Sequence, residues 1–388
     1  MKNNILKMKI ATVTKYKNKY FLTALKLNAL FVYEQQSEKL SYLGAFKTEQ
    51  KAPYCMYVRS FLYKDEIWFL PAEAEKIAVL NTTSMRMEYI SIDFNKGFHI
   101  WGFKYNNFLK FNGHYVCLVP RGANEAVIVN METKKVEKYY EISKQNEEFQ
   151  NAVLIDNMLY FYPWKGQRKV SVNLELGEIN DEEWVGDKRY GDAVYDKASE
   201  KIFHAPALES HILVDDIYGN ILGKKNFDFL QKDDEYHAFY SSLYREKILF
   251  WGFKGIISIE PQEEKICYSK IREDSERKIL VPIDLTENEA YVFGGNEIFQ
   301  YDDIQNKYMS IEITIPFIEF MSQIKNQGKN FNDLYKYNKR GCEFENAPWT
   351  LDEYIEFLKG GLLSKHTSDS VRESCDSKWT KSFSSIFK

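Results

Sequence analysis

Between residues 8 and 313 the chain alternates short apolar runs with polar turns, and the runs fall into a recurring order of four. The stretch 153–182, VLIDNMLYFYPWKGQRKVSVNLELGEINDE, shows the unit most cleanly. A run ending at a proline (MLYFYP) leads through a turn of a few residues into an alternating run (KVSVN). A charged, glycine-containing turn (LELGEI) and a short outer run follow. Alternation at period two predicts strands, with one set of side chains facing a buried layer and the other facing outward. The first of these runs recurs as KYFLTAL, EIWFLP, HYVCLVP, MLYFYP, KIFHAP, KILFWGF and EAYVFGG. With Tyr20, Trp68, Val116, Tyr160, Phe203, Leu249 and Val292 taken as equivalent markers, successive copies lie 43 to 48 residues apart.

One four-stranded antiparallel sheet cannot bury both of its faces. Repeats of about 40 to 50 residues with four strands each therefore predict stacked sheets, the blades of a β-propeller. A β-sandwich would show turn signals every 8 to 12 residues or so without the higher period. The seven markers fill residues 8–313 without a gap, so the expectation is an all-β propeller of seven blades. The pattern resembles the broad β-propeller repeat class to which kelch-like and WD40-like proteins belong. Within residues 8–313 the paired glycine of kelch repeats occurs once, as Gly294 and Gly295, and the Trp-Asp dipeptide of WD40 repeats does not occur. The resemblance thus implies an architecture, and a binding or scaffolding role by analogy, without implying any catalytic residue.

Past residue 313 the period changes. In TIPFIEFMSQIKNQGK, Pro316 suits a first helical turn, Gly328 suits a C-terminal cap, and Phe317, Ile318, Phe320, Met321 and Ile324 supply apolar positions. In APWTLDEYIEFLKGG, Thr350 and Glu353 have capping-box spacing and Gly360 follows where the helix should stop. The chain therefore reads as a propeller over 1–313, a helical extension over 314–363 and a serine-rich tail over 364–388. In the tail Val371, Cys375, Trp379, Phe383 and Phe387 recur every fourth residue and would form one apolar stripe on a helix, suited to docking or to peripheral contact with a partner or membrane surface. Residues 8–46 and 279–313 each supply a whole blade, so no terminal strand exchange is expected; the helical extension is the expected latch.

Composition adjusts this picture in a few places. Aromatic residues make up 16% of the chain, with 27 Tyr and 27 Phe, which suits large pleated faces packed on one another. A formal net charge of -4 gives no overall basic field, so nucleic acid is not an expected partner. The five cysteines are odd in number, widely spaced and free of any CxxC pair, which fits reduced thiols in a cytoplasmic protein. No apolar run reaches about 18 residues and no signal-peptide pattern opens the chain, so no membrane span is expected. The six histidines form neither HxxxH nor HExxH, and no P-loop, GxGxxG or GxSxG is present. No metal, cofactor or nucleophile is therefore expected. His204, in an alternating strand, reads as a core or interface residue.

Function is expected where the mid-repeat turns project. Pro71, Pro120, Pro163 and Pro206 end the marker run in four consecutive blades, as rigid turn residues without a donor N–H. The turns PAEAEK, PRGANE, PWKGQR and PALESH, with the later WGFKG, bring Glu73, Arg121, Trp164, Lys165, Arg168, Glu209, His211, Trp251 and Lys254 toward one mouth of the channel. Basic groups beside exposed aromatics suit a protein partner or a small anionic or sugar-like ligand. Two longer connections, 93–107 and 224–238, fall on the same side, and long loops on a rigid scaffold commonly carry binding. The leading reading is a non-catalytic binding or scaffolding propeller. The alternative is a carbohydrate-active hydrolase or lyase with its site in the same mouth.

Overall fold

A computed structural model describes residues 5–25, 27–47, 55–93, 103–144, 147–184, 190–207, 211–226, 240–252, 255–263, 265–270, 280–283, 290–302 and 307–328. Seven four-stranded sheets follow one another along these residues, each with its strands in sequence order. The fold is an all-β, seven-bladed propeller with one short C-terminal helix. Every marker residue lies in the second strand of its blade: Tyr20 in Lys19–Ala24, Trp68 in Glu66–Pro71, Val116 in Tyr115–Pro120, Tyr160 in Met158–Lys165, Phe203 in Lys201–His204, Leu249 in Lys247–Trp251 and Val292 in Ala290–Gly294. The chain divides into two compact units, one of residues 57–311 and one of residues 1–56 with 312–388.

The larger unit holds six blades, and its core lies between them. Phe61, Trp68, Ile77 and Val79 of the second blade pack on Val116, Leu118, Val127 and Val129 of the third. Cys117 and Ile128, from the other face of the third blade, meet Phe149, Phe161 and Val170 of the fourth. Middle strands are therefore covered on both faces. Lys76–Asn81 and Arg168–Asn173 each show four successive buried residues between half-buried ends. Period two here decides which neighbouring blade a side chain meets rather than whether it is buried, which corrects the inside-outside alternation expected from sequence. Outer strands lose this cover, and Ile179–Glu183 is exposed throughout.

In the smaller unit the first blade is made of the consecutive strands Ile10–Tyr16, Lys19–Ala24, Leu30–Glu34 and Lys39–Gly44. A separate two-stranded ladder pairs Ile5–Lys7 with Thr314–Pro316. The helix Phe317–Asn326 starts directly after Pro316, where a missing N–H costs nothing, and the chain leaves it through Gly328 at φ +68°. Phe320, Met321 and Ile324 are buried, and the Phe320 ring lies 5.5 Å from Phe31 and 6.2 Å from Tyr42. Gln323 accepts the Tyr42 amide at 2.7 Å, meeting a donor that the outer strand of the blade would otherwise leave unpaired. The helix expected over 350–359 and the stripe from Val371 to Phe387 lie outside the described residues, as do 94–102 and 227–238 of the two longer connections. Among the described residues no helix is long and apolar enough to cross a membrane. Cys55, Cys117 and Cys267 are free thiols, and burial pushes the Cys117 thiol far above its ordinary value.

Candidate functional site

Within residues 57–311 the first strands of successive blades, among them Tyr57–Tyr63, Tyr105–Phe111, Glu148–Ile155, Ala193–Asp196 and Tyr240–Tyr244, lie against one another as the inner strands. Three of them carry a bulge at the same point. Pairing skips one residue between Tyr57 and Arg59, between Tyr105 and Asn107, and between Phe149 and Asn151. The first blade does likewise between Ile10 and Thr12. A bulge re-aims the side chain that follows it. Opposite Leu70, Val119 and Tyr162, the fifth residues of their second strands, stand Arg59, Asn107 and Asn151; Asp192 stands opposite Ala205 in the same way, accepting its amide at 2.7 Å. All four lie near the start of an inner strand, at the end of the blade that bears the mid-blade turn.

These side chains form a buried layer that joins blades distant in sequence. Asn107 donates to Asp192 Oδ1 at 2.5 Å and lies 3.4 Å from Asn151 Oδ1, and Asn151 donates to the Ala193 carbonyl at 2.6 Å. Asp192 Oδ2 accepts both the Ser241 amide (2.8 Å) and its hydroxyl (3.0 Å). Arg59 completes the layer through ring contacts, without a hydrogen bond from its guanidinium among the described residues: its Cζ lies 5.4 Å from the Phe108 ring centroid and 5.0 Å from that of Tyr240, so one side chain of the second blade touches the third and the sixth. Burial raises the Asp192 carboxyl to about 6, against the opposing pull of Arg59 and of the Ser241 and Asn107 donors.

Of the residues expected at the mouth, Arg121 and Trp164 come together. The Arg121 guanidinium lies over the Trp164 ring at 5.8 Å, donates to Glu148 at 3.2 Å and reaches Asn106 at 3.4 Å; Asn106 in turn donates to Gln150 at 2.8 Å. Both Arg121 and Trp164 are half-buried, and Lys165 beside them is exposed. The turn is completed by Gly166 at φ +122°, where a β-carbon would also come within 3.2 Å of Glu147.

Arg168 has a different setting. It donates twice to Glu147 (2.9 and 2.6 Å), to Asp181 (2.6 Å) and to the Ile142 carbonyl (2.8 Å), pinning the turn to the connection before its blade and to the outer strand. Burial alone would raise the Glu147 carboxyl, yet the bonds from Arg168 and the Lys144 amide hold it below its ordinary value. Arg168→Ala is expected to cost about 2 kcal/mol, since it removes charged hydrogen bonds from a half-buried carboxylate. Urea unfolding at neutral pH checks this. The deficit should shrink as pH falls through the depressed ionisation of Glu147, where the wild type loses the same stabilisation.

The remaining candidates are dispersed. His211 is buried and shares a hydrogen bond of 2.7 Å with the Tyr190 hydroxyl. Trp251 is 1% exposed, within the core between the sixth and seventh blades, and donates to Ser242 Oγ at 2.8 Å. Glu73 is half-buried, and its carbonyl lies 3.4 Å from the Lys104 ammonium. Glu209 and Lys254 lie outside the described residues. His204 is fully buried, bonded to Asp215 at 2.8 Å and ringed by Tyr162, Trp184 and Tyr190, as a core histidine.

The inner layer was not anticipated from the turns. Its trace in the sequence is a polar pair inside three of the apolar strands that precede a marker: Arg59-Ser60 in YVRSFLY, Asn106-Asn107 in YNNFLKF and Gln150-Asn151 in EFQNAVLI.

No protein-family model matches the chain, and no curated protein matches it. Solved structures do. A catalytically inactive variant of virginiamycin B lyase from Staphylococcus aureus, in its structure with quinupristin, is similar with a TM-score of 0.56 at 14% identity, over 74% of this chain and 92% of that one. A streptogramin B lyase gives 0.54 at 12% identity, over 74% and 90%. PorZ, a bacterial surface component of the type-IX secretion system of Porphyromonas gingivalis, gives 0.50 at 13%, over 80% of this chain and 39% of that one. At such identities the likeness is one of fold, and the fold it shows is the β-propeller, without a particular subfamily.

Proposed function

We propose that this chain is a non-catalytic binding propeller whose recognition surface is the mouth where the mid-blade turns meet the starts of the inner strands. The observation that carries the reading is the Arg121–Trp164 pair: a cation held over an aromatic face, half-buried, with Lys165 exposed beside it. Such a pair offers stacking and charge-assisted donors at once, which suits a protein partner or a small anionic or sugar-like ligand. The alternative, a hydrolase or lyase acting on carbohydrate in the same mouth, calls for two carboxylates about 5 to 10 Å apart and free to exchange protons. Two described carboxylates at this end of the blades are committed otherwise, Glu148 to Arg121 and Asp192 to Asn107 and Ser241.

The test is an affinity pull-down comparing the wild type with Arg121→Ala/Trp164→Ala. Arg168 is left in place, because its loss would disturb the turn itself. Truncating an anchoring Arg and Trp is expected to weaken capture by at least about tenfold, as such residues contribute roughly 2 kcal/mol or more at interfaces. Equal retention by the two proteins would remove Arg121 and Trp164 from the surface.

A further inference from the structure

We infer that the Arg59 guanidinium, presented on the inner strand of the second blade, is a binding site for the carboxylate of a small anionic ligand. The inference does not rest on the Arg121–Trp164 surface, since none of its residues is shared.

Its first support is an unmet donor. Arg59 is 8% exposed, and among the described residues no hydrogen bond reaches its guanidinium; the buried Nη1 has no partner among them. A guanidinium offers five N–H donors in a fixed plane, and leaving a buried charged group unsatisfied is strongly unfavourable. Something polar is therefore expected against it.

The second support is which part of the cation is occupied. Phe108 and Tyr240 hold it against their rings, from the third and the sixth blade. Aromatic contact of this kind satisfies the charge of a guanidinium and none of its N–H groups. The planar donor edge is left, and it matches a carboxylate in a bidentate fork.

The third support is Asp192. Opposite charges buried in one layer would be expected to pair directly, yet Asp192 acts on Arg59 only through space, and its oxygens accept from Asn107 and Ser241 instead. The carboxylate that would complete the Arg59 fork is not supplied by this chain among its described residues.

Charge balance adds a signature that a surface site would lack. Arg59 is the charged group acting on Asp192, whose hydrogen-bonding neighbours Asn107 and Ser241 are neutral. With Asp192 ionised, the pair is neutral, and a bound anion would leave one uncompensated negative charge in a buried layer. Protonating Asp192 removes it. Its carboxyl already titrates near 6, and a bound anion pushes it further up, so anion binding takes up a proton.

Acetate is the probe, titrated into the full chain at constant ionic strength and followed by broadening of its methyl signal. Wild type is expected to bind acetate, with affinity rising about sixfold between pH 7.5 and 5.5, as for a shift of about one unit in Asp192. Arg59→Met keeps the apolar bulk, removes the donor fork and should abolish the binding. Absence of acetate binding in wild type, binding that survives Arg59→Met, or affinity independent of pH would each overturn the inference. Inorganic phosphate displacing acetate at equal concentration would overturn the carboxylate assignment. If Arg59→Met does not fold, the wild-type pH dependence decides, a flat profile counting against the site.

Discussion

Asp192→Ala should be among the most destabilising single substitutions in the molecule, at about 3–5 kcal/mol, read from the midpoint of urea unfolding at neutral pH. The carboxylate gathers Asn107 from the third blade and the Ser241 amide and hydroxyl from the sixth. Its removal strands three donors and leaves Arg59 as a buried cation without its compensating charge, the situation in which breaking one partner costs most. The pH dependence separates this from a simple cavity. The Asp192 carboxyl ionises near 6 in the folded protein, whereas an ordinary aspartate ionises near 3.9. The folded state therefore holds a proton between these values that the unfolded state has released. This group makes stability fall as pH rises through about 6, and its contribution is fully present only below about 4. Asp192→Ala lacks that slope, so its deficit should be larger at pH 5 than at pH 7 by about 1 kcal/mol. A deficit equal at the two values would mean that burial does not perturb Asp192.

The blades were legible because a propeller writes its architecture as a period. Each blade must present two apolar faces to its neighbours, so the second strand recurs as an apolar run at every copy, and Trp68, Phe203 and Leu249 are buried for one shared reason. The register within each strand was less legible. Measured from the hairpin, Tyr20 and Val116 are the second residues of their strands, while Trp68, Tyr160, Phe203 and Leu249 are the third. A slip of one residue exchanges the faces of a strand, so the marker alignment counts blades correctly while mixing their two sides. The bulges are hidden for the same reason. An extra residue before Arg59 or Asn107 leaves no composition signal, yet it decides that these side chains join the inner layer. Turn residues were visible as turn chemistry, but whether a turn cation is free or tied depends on residues far along the chain, as Glu147 and Asp181 are for Arg168.

The second large effect concerns two tryptophans that the sequence places in comparable turns. Trp251→Ala is expected to cost about 3–5 kcal/mol, whereas Trp164→Ala should leave the unfolding midpoint close to wild type and act on capture instead. Counted from the hairpin, Trp251 is the fifth residue of its strand and still pairs with Tyr240. Its ring is packed with Ile256, Val292 and Phe299 in the interface of the sixth and seventh blades and lies nearly perpendicular to Tyr301 at 6.4 Å. Removing it opens a cavity between two sheets and strands the Ser242 hydroxyl that its indole N–H meets. Trp164 lies two residues further along its strand, past Pro163, where the second strand is turning away from the core and the ring covers Arg121. A surface aromatic of this kind contributes about 1 kcal/mol or less to folding, and more to a ligand that stacks on it. Denaturation and capture, measured on both variants, should therefore give opposite orders. If Trp164→Ala destabilises the fold as much as Trp251→Ala, the Arg121–Trp164 pair is part of the framework, and recognition at this mouth has to be sought at Lys165 and the turns beside it.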